Sequence, residues 1–323
     1  MKRLGWVLLV GAVIWMSFSA TALAWEKGTH AYIADLLRKK VGAQNLEEVY
    51  GAMAPDAFNY LFAMPGVLYR DWLYQQTHFE FMKVQNAAKT GTDKSAAAGF
   101  LSHNNVWGAD MTAHTKSLTL NMGEGYVITK AKLLHEALMH DPGYAGLFGG
   151  DDPLVQAAAL EICHNLVEAA GDVIMKHYDP DLGRKLIEIV SRPKPTVQAL
   201  MIKAYAGDLA AASAGLGYPI SVKDASGLIA QAETEFRQGA VGYGYLLLGD
   251  DATLIANVVD QFRSLAGAFL ALYGLPTPPD ELLNALIYGG IQTALQICAS
   301  DYMTEVNATV DFVAAQLKSH KIK

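Results

Sequence analysis

Residues 99–114 read Gly-Phe-Leu-Ser-His-Asn-Asn-Val-Trp-Gly-Ala-Asp-Met-Thr-Ala-His. Projected on a helix at about 100° per residue, His103, Asp110 and His114 fall within an arc of about 40°. A single histidine on an apolar helix is usually a hydrogen-bonded core residue. Three ligand-type side chains on one stripe are costly to bury together unless a cation or ion pairing satisfies them. The stretch therefore predicts a helix over 94–114 that presents a metal-binding face.

Working outward, the chain reads as helices nearly throughout. The other predicted spans are 29–40, 128–140, 152–178, 180–191, 195–213, 222–238, 251–274 and 279–318, the last broken near Gly289-Gly290. Joints of the Asp-Pro or Pro-rich kind separate them at Asp141-Pro142, Asp152-Pro153, Asp179-Pro180, Pro193-Lys194-Pro195 and Pro276–Pro279. Gly51 to Asp93 reads mostly as loop, rich in aromatics from Phe58 to Phe81. With few alternating β-branched runs and no internal repeat, the fold class is all-α.

Further ligand-type groups lie in the same half of the chain. His164 and Glu168 stand at i,i+4 on a helix, so both can reach one ion. Ala54-Pro55-Asp56 offers a carboxylate beside a turn, and Thr77-His78-Phe79 an imidazole among aromatics. His135-Glu136-Ala137-Leu138-Met139-His140 has three residues between Glu and the second His, where a zinc-protease motif needs two. It is set aside, as are His177 at a helix end and His320 in the basic tail.

The N-terminus completes the set. Lys2 and Arg3, the apolar stretch Leu4–Ala20 and the small residues of Ala22-Leu23-Ala24 read as an export signal cleaved after Ala24. Cleavage leaves Trp25 first, with His30 five residues on. A free α-amine has a pKa of roughly 7.7–8.0, so near neutral pH it is able to bind a metal. Its nitrogen and the Trp25 carbonyl chelate together, with His30 as a third donor. The expected location is secreted or periplasmic. No cysteine follows the cleavage site to carry a lipid anchor. Cys163 and Cys298 could pair in an oxidising compartment, but two cysteines make no disulfide scaffold.

In order, the N-terminal Trp, the early His, Pro-Asp, Thr-His, the His…Asp…His stretch and His-x3-Glu resemble the zinc-dependent phospholipase C family, which is related to zinc nucleases that cut single strands. The resemblance covers roughly residues 25–170. It implies a multi-helical phospholipase C-like bundle with two to three zinc ions, about one per ligand set. One ion would take Asp56, His78, His103 and Asp110. A second would take His114, His164 and Glu168. The third would take the Trp25 amine and carbonyl, His30, and Asp110 as a bridge. Asp56 would also be catalytic, orienting or deprotonating water.

One spacing departs from the family pattern. Relatives place about three residues between the first His and the bridging Asp, whereas six separate His103 from Asp110. The helical phase survives, but the rise grows from about 6 Å to about 10.5 Å. Either the chain breaks near Asn104-Asn105 and restores the approach, or His103 is not a ligand.

Residues 1–24 are expected to be a signal peptide, 25–192 the zinc-binding helical region and 193–323 additional helices packed on it. The net charge of −7 disfavours nucleic acid as a partner, which needs a basic surface, but not a small phosphate ester, because bound metal reverses the local charge. No second membrane span is expected, since Leu254–Leu275 contains Asp260, Gln261 and Arg263. The favoured substrate is a phospholipid or other phosphodiester. Peripheral membrane contact would run through Ala63–Leu68 and the nearby aromatics, unless these are core. The alternatives are a zinc nuclease or phosphodiesterase, and a non-enzymatic periplasmic protein with a structural zinc site.

Overall fold

A computed structural model describes residues 26–40, 46–59, 61, 64–191 and 196–322. The expected export leader Met1–Ala24, Trp25, and the Pro193–Pro195 joint lie outside the described residues, as do Tyr60, Phe62 and Ala63. The described residues are helical, with no strand among them, so the fold is all-α. In chain order the helices are α1 (Lys27–Lys40), α2 (Glu47–Met53), a 3₁₀ turn (Ala54–Phe58), α3 (Val67–His78), α4 (Met82–Ala87) and α5 (Gly91–His103). A π-turn (Met111–Thr115) follows, then α6 (Tyr126–Leu138), α7 (Pro142–Phe148), α8 (Pro153–Tyr178) and α9 (Leu182–Val190). The remainder are α10 (Thr196–Ala212), α11 (Val222–Leu248), α12 (Asp251–Leu272), α13 (Asp280–Cys298) and α14 (Tyr302–Ser319).

Local chemistry explains most of the starts. Two of the Asp-Pro joints are helix N-termini: Asp141 accepts from the Tyr144 amide, Asp152 from the Leu154 amide, and Pro142 and Pro153 occupy first-turn positions that need no donor. Thr90 with Asp93, and Ser221 with Asp224, form capping boxes for α5 and α11.

Four boundaries differ from the sequence reading. The segment 51–93 is not mostly loop, because Tyr69, Leu73 and Thr77 form a buried stripe along α3. Helix α11 continues past residue 238 because Ala240, Tyr243 and Leu247 extend its buried face to Leu248. The C-terminal break falls at 299–301 rather than at Gly289-Gly290. Gly290 instead lies where a Cβ would collide with Leu166, so it is a close-packing residue inside α13. The predicted helix 94–114 ends at His103, with consequences for the site below.

Two crossings position the site. Helices α2 and α5 meet through Gly51 and Gly99, where any Cβ would overlap the carbonyl of Ala96 or Glu48 on the facing helix. That approach brings the end of α5 beside the 3₁₀ turn carrying Asp56. Helix α8 packs on α6 and α13, while α14 packs on α1, α5 and α8. The core is continuous from Ile33 in α1 to Leu317 in α14. Cys163 and Cys298 are both buried and unpaired. Among the described residues no single helix is long and apolar enough to cross a membrane.

Candidate metal centre

The break after His103 is built by one side chain. Asn104 Oδ1 accepts from the amides of Val106 (2.8 Å), Trp107 (2.8 Å) and Gly108 (3.2 Å). These bonds fold residues 104–108 into a tight loop instead of two further helical turns. The π-turn then begins, closed by Lys116 N donating to Met111 O at 2.9 Å. His103 Nε2 consequently lies 3.1 Å from Asp110 Oδ2, and His103 joins the cluster.

Four donors converge there. His78 Nε2 is 3.4 Å from both Asp56 Oδ1 and Asp110 Oδ2. His103 Nε2 is 3.5 Å from Asp56 Oδ1 and 3.1 Å from His78 Nε2. A tetrahedral cation with bonds near 2.0–2.1 Å to nitrogen and oxygen has donor–donor edges of about 3.3 Å. The observed spacings are those edges. Asp110 also faces the other way: its Oδ1 is 3.3 Å from His30 Nε2. His114, His164 and Glu168 form a separate set, with His114 Nε2 3.3 Å from His164 Nε2 and His164 Nε2 2.8 Å from Glu168 Oε1.

Hydrogen bonds aim the rings. His103 Nδ1 is 2.8 Å from the Ala52 carbonyl, and His78 Nδ1 is 3.2 Å from the Tyr74 carbonyl. With those nitrogens as donors, each Nε2 lone pair points into the cluster. Yet His30 Nε2, both oxygens of Asp110 and both of Glu168 are buried facing only one another and the other ligand-type side chains of their sets. Leaving such groups unmet is costly, and a divalent cation at each set would meet the need. The residues fit a metal centre by donor chemistry, spacing and unmet valence together.

Charge within the cluster is finely divided. Burial and the neighbouring His103 push His30 below the ordinary histidine range. Burial also opposes charge on His103, but Asp110 and Asp56 outweigh it and raise His103 well above that range. For Asp110 and Asp56 burial favours the neutral form, but the charge and hydrogen bonds of His103 prevail and hold both carboxyls low. Burial likewise opposes charge on His164, but Glu168 overrides it and lifts His164 to about 10. Burial raises Glu168 itself, so this pair holds a proton at neutral pH.

Sequence reasoning missed the supports from elsewhere in the chain. Asp172 accepts from the amides of Gly28 (2.8 Å) and Thr29 (2.7 Å) and from the Thr29 hydroxyl (2.6 Å), pinning the start of α1 one residue before His30. Its place two turns beyond His164, on the Glu168 stripe, was the available signal. From α14, Tyr302 reaches Thr29 (2.7 Å) and Thr309 reaches Thr112 (2.8 Å). Glu305 accepts from Ser117 Oγ, Leu118 N and Thr119 N at 2.8–2.9 Å. Of the histidines set aside, His135 bonds Tyr144, His177 pairs with Asp251 and His320 stacks on Trp107. Comparison of the chain with protein-family models, curated proteins and solved structures finds no match.

Proposed function

We propose that this chain is an exported zinc-dependent phosphodiester hydrolase with a phospholipase C-like bundle, releasing a phosphorylated headgroup and diacylglycerol from phospholipid. The supporting observation is the convergence of Asp56, His78, His103 and Asp110 at tetrahedral spacing, with Asp110 turned also towards His30. Asp56, His78, His103 and Asp110 would hold one ion and His114, His164 and Glu168 another. His30 and Asp110 would share a third with the Trp25 amine and carbonyl. Nitrogen and oxygen donors of this kind suit zinc. When bound, zinc supplies positive charge to neutralise the phosphodiester and Lewis acidity that makes water a competent nucleophile near neutral pH. Asp56 stays ionised and is fixed by Asn59 Nδ2, which donates to its Oδ1 at 2.8 Å. It would orient water and accept its proton. The surrounding helices bury His78, His103 and Asp110 completely.

The test is hydrolysis by the exported form with phosphatidylcholine vesicles, a single-stranded oligonucleotide and bis(4-nitrophenyl) phosphate. Headgroup release that a strong chelator abolishes is the expected result. Oligonucleotide cleavage far exceeding any phospholipid turnover gives the site to a nuclease. Zinc binding with no phosphate ester touched makes the site structural.

Two further outcomes follow. Metal binding at these sets would release the protons held by His103 and by the His164–Glu168 pair. Calorimetric titration of metal-free protein should thus give enthalpies that scale with buffer ionisation enthalpy, and apparent affinity should fall as pH is lowered. Buffer-independent enthalpies would contradict the protonated resting cluster. Secondly, an added residue before Trp25 turns its amine into a planar amide, a poor donor. Such a chain should hold less zinc than one beginning at Trp25, and equal zinc in both would remove the terminal amine from the site.

A further inference from the structure

We infer that Asn105 is a positioning residue that selectively orients His114 for the metal set made with His164 and Glu168, a role that rests on the metal centre proposed above. Asn105 lies in the loop that Asn104 ties off, and it is buried. Three of its polar groups face three different partners. The backbone amide donates to the His78 carbonyl at 3.1 Å. The side-chain Nδ2 donates to the Tyr74 hydroxyl at 2.7 Å, which leaves Oδ1 facing His114 Nδ1 at 3.2 Å. Oδ1 only accepts, so His114 Nδ1 carries the hydrogen there and Nε2 keeps its lone pair. Nε2 is the atom that points at His164 Nε2, 3.3 Å away. Two imidazole nitrogens that close, with Glu168 beside them, form a ligand set only if both lone pairs face inward.

The loop thus serves the two ligand sets through different atoms. The backbone of Asn105 is tied to the segment carrying His78, whereas its side chain acts on His114. Tyr74 ties the two together, since its ring stacks on His78 at 4.0 Å while its hydroxyl holds the Asn105 amide in the orientation that offers Oδ1 to His114. Removing the side chain should therefore weaken one set and spare the other. Partners that orient a ligating histidine are typically worth about 10–100-fold in metal affinity.

The experiment titrates zinc into metal-free wild type, Asn105→Ala, Asn105→Asp and His114→Ala, with circular dichroism to verify the fold and cobalt spectra to distinguish the sites. In Asn105→Ala the sites weakened by His114→Ala should bind about 10–100-fold less tightly, with the remaining sites unchanged. Asn105→Asp, which keeps an acceptor towards Nδ1, should restore binding. Equal weakening of all sites, no weakening in Asn105→Ala, or an aspartate variant no better than alanine overturns the role. A wild-type chain that binds no divalent metal defeats the metal reading and this role with it. If Asn105→Ala does not fold, imidazole ¹⁵N shifts of zinc-loaded wild type decide: hydrogen on His114 Nδ1 supports the role, and hydrogen on Nε2 refutes it.

Discussion

Replacing Asp56 with asparagine is expected to lower phosphodiester turnover by about 10²–10⁴-fold, the range for loss of a positioned general base. The substitution keeps the volume and removes the charge. Asp56 sits in the 3₁₀ turn, where its backbone geometry depends on Pro55 and on the Asn59 amide bonding back to the Asp56 carbonyl at 3.0 Å, neither of which changes. The helical circular-dichroism spectrum should therefore hardly move. Asparagine amide oxygen accepts hydrogen bonds but has no basicity near neutral pH, so orientation of water survives in part while proton acceptance does not. Zinc content separates this effect from loss of metal, because the His114 set should remain filled. Turnover within a few-fold of wild type would falsify a catalytic Asp56 and leave it a replaceable ligand.

How far the site could be read from sequence differs from residue to residue. The helical phase of His103, Asp110 and His114 put three ligand-type residues on one stripe, and the structure does bring His103 and Asp110 together. It does so through a break, not along a helix. The axial separation flagged the difficulty, and Asn104-Asn105 marked the place. What periodicity does not encode is that one asparagine oxygen accepts three successive amides and reverses the chain. The supports on α14 were harder to see. Tyr302, Glu305 and Thr309 share a helical face, but Val306, Val310 and Val313 beside them are equally buried. Polar residues on such a face could be read as a solvated edge. Only tertiary packing reveals that their partners are Thr29, the 117–119 loop and Thr112. Helix α14, which carries no ligand-type motif, therefore braces the segments around the centre without entering it.

Asp110→Asn should strip more metal from the chain than any other single carboxylate change. Glu168 serves only the set with His114 and His164, so Glu168→Gln should cost the ion of that set alone. Asp110 belongs to two: its Oδ2 lies 3.1 Å from His103 and 3.4 Å from His78, and its Oδ1 3.3 Å from His30. An amide presents one oxygen and one nitrogen whose hydrogens repel a cation, so asparagine cannot bridge. Elemental analysis of gently purified variants reads this directly, with zinc per chain falling in the order wild type, Glu168→Gln, Asp110→Asn. Metal-free protein should feel the change as well. Asp110 is fully buried and its carboxyl is held well below the usual range, so its stabilising pairing with His103 is in place at neutral pH and is lost as pH falls through the folded-state value. Removing one partner of a buried ion pair costs about 3–5 kcal/mol, less here to the extent that His103 gives up its proton. The melting temperature of metal-free Asp110→Asn should accordingly drop at pH 7 and converge with wild type in acid. If Glu168→Gln instead loses as much zinc as Asp110→Asn, the two sets fill as a single unit, and Asp110 is not the residue that joins them.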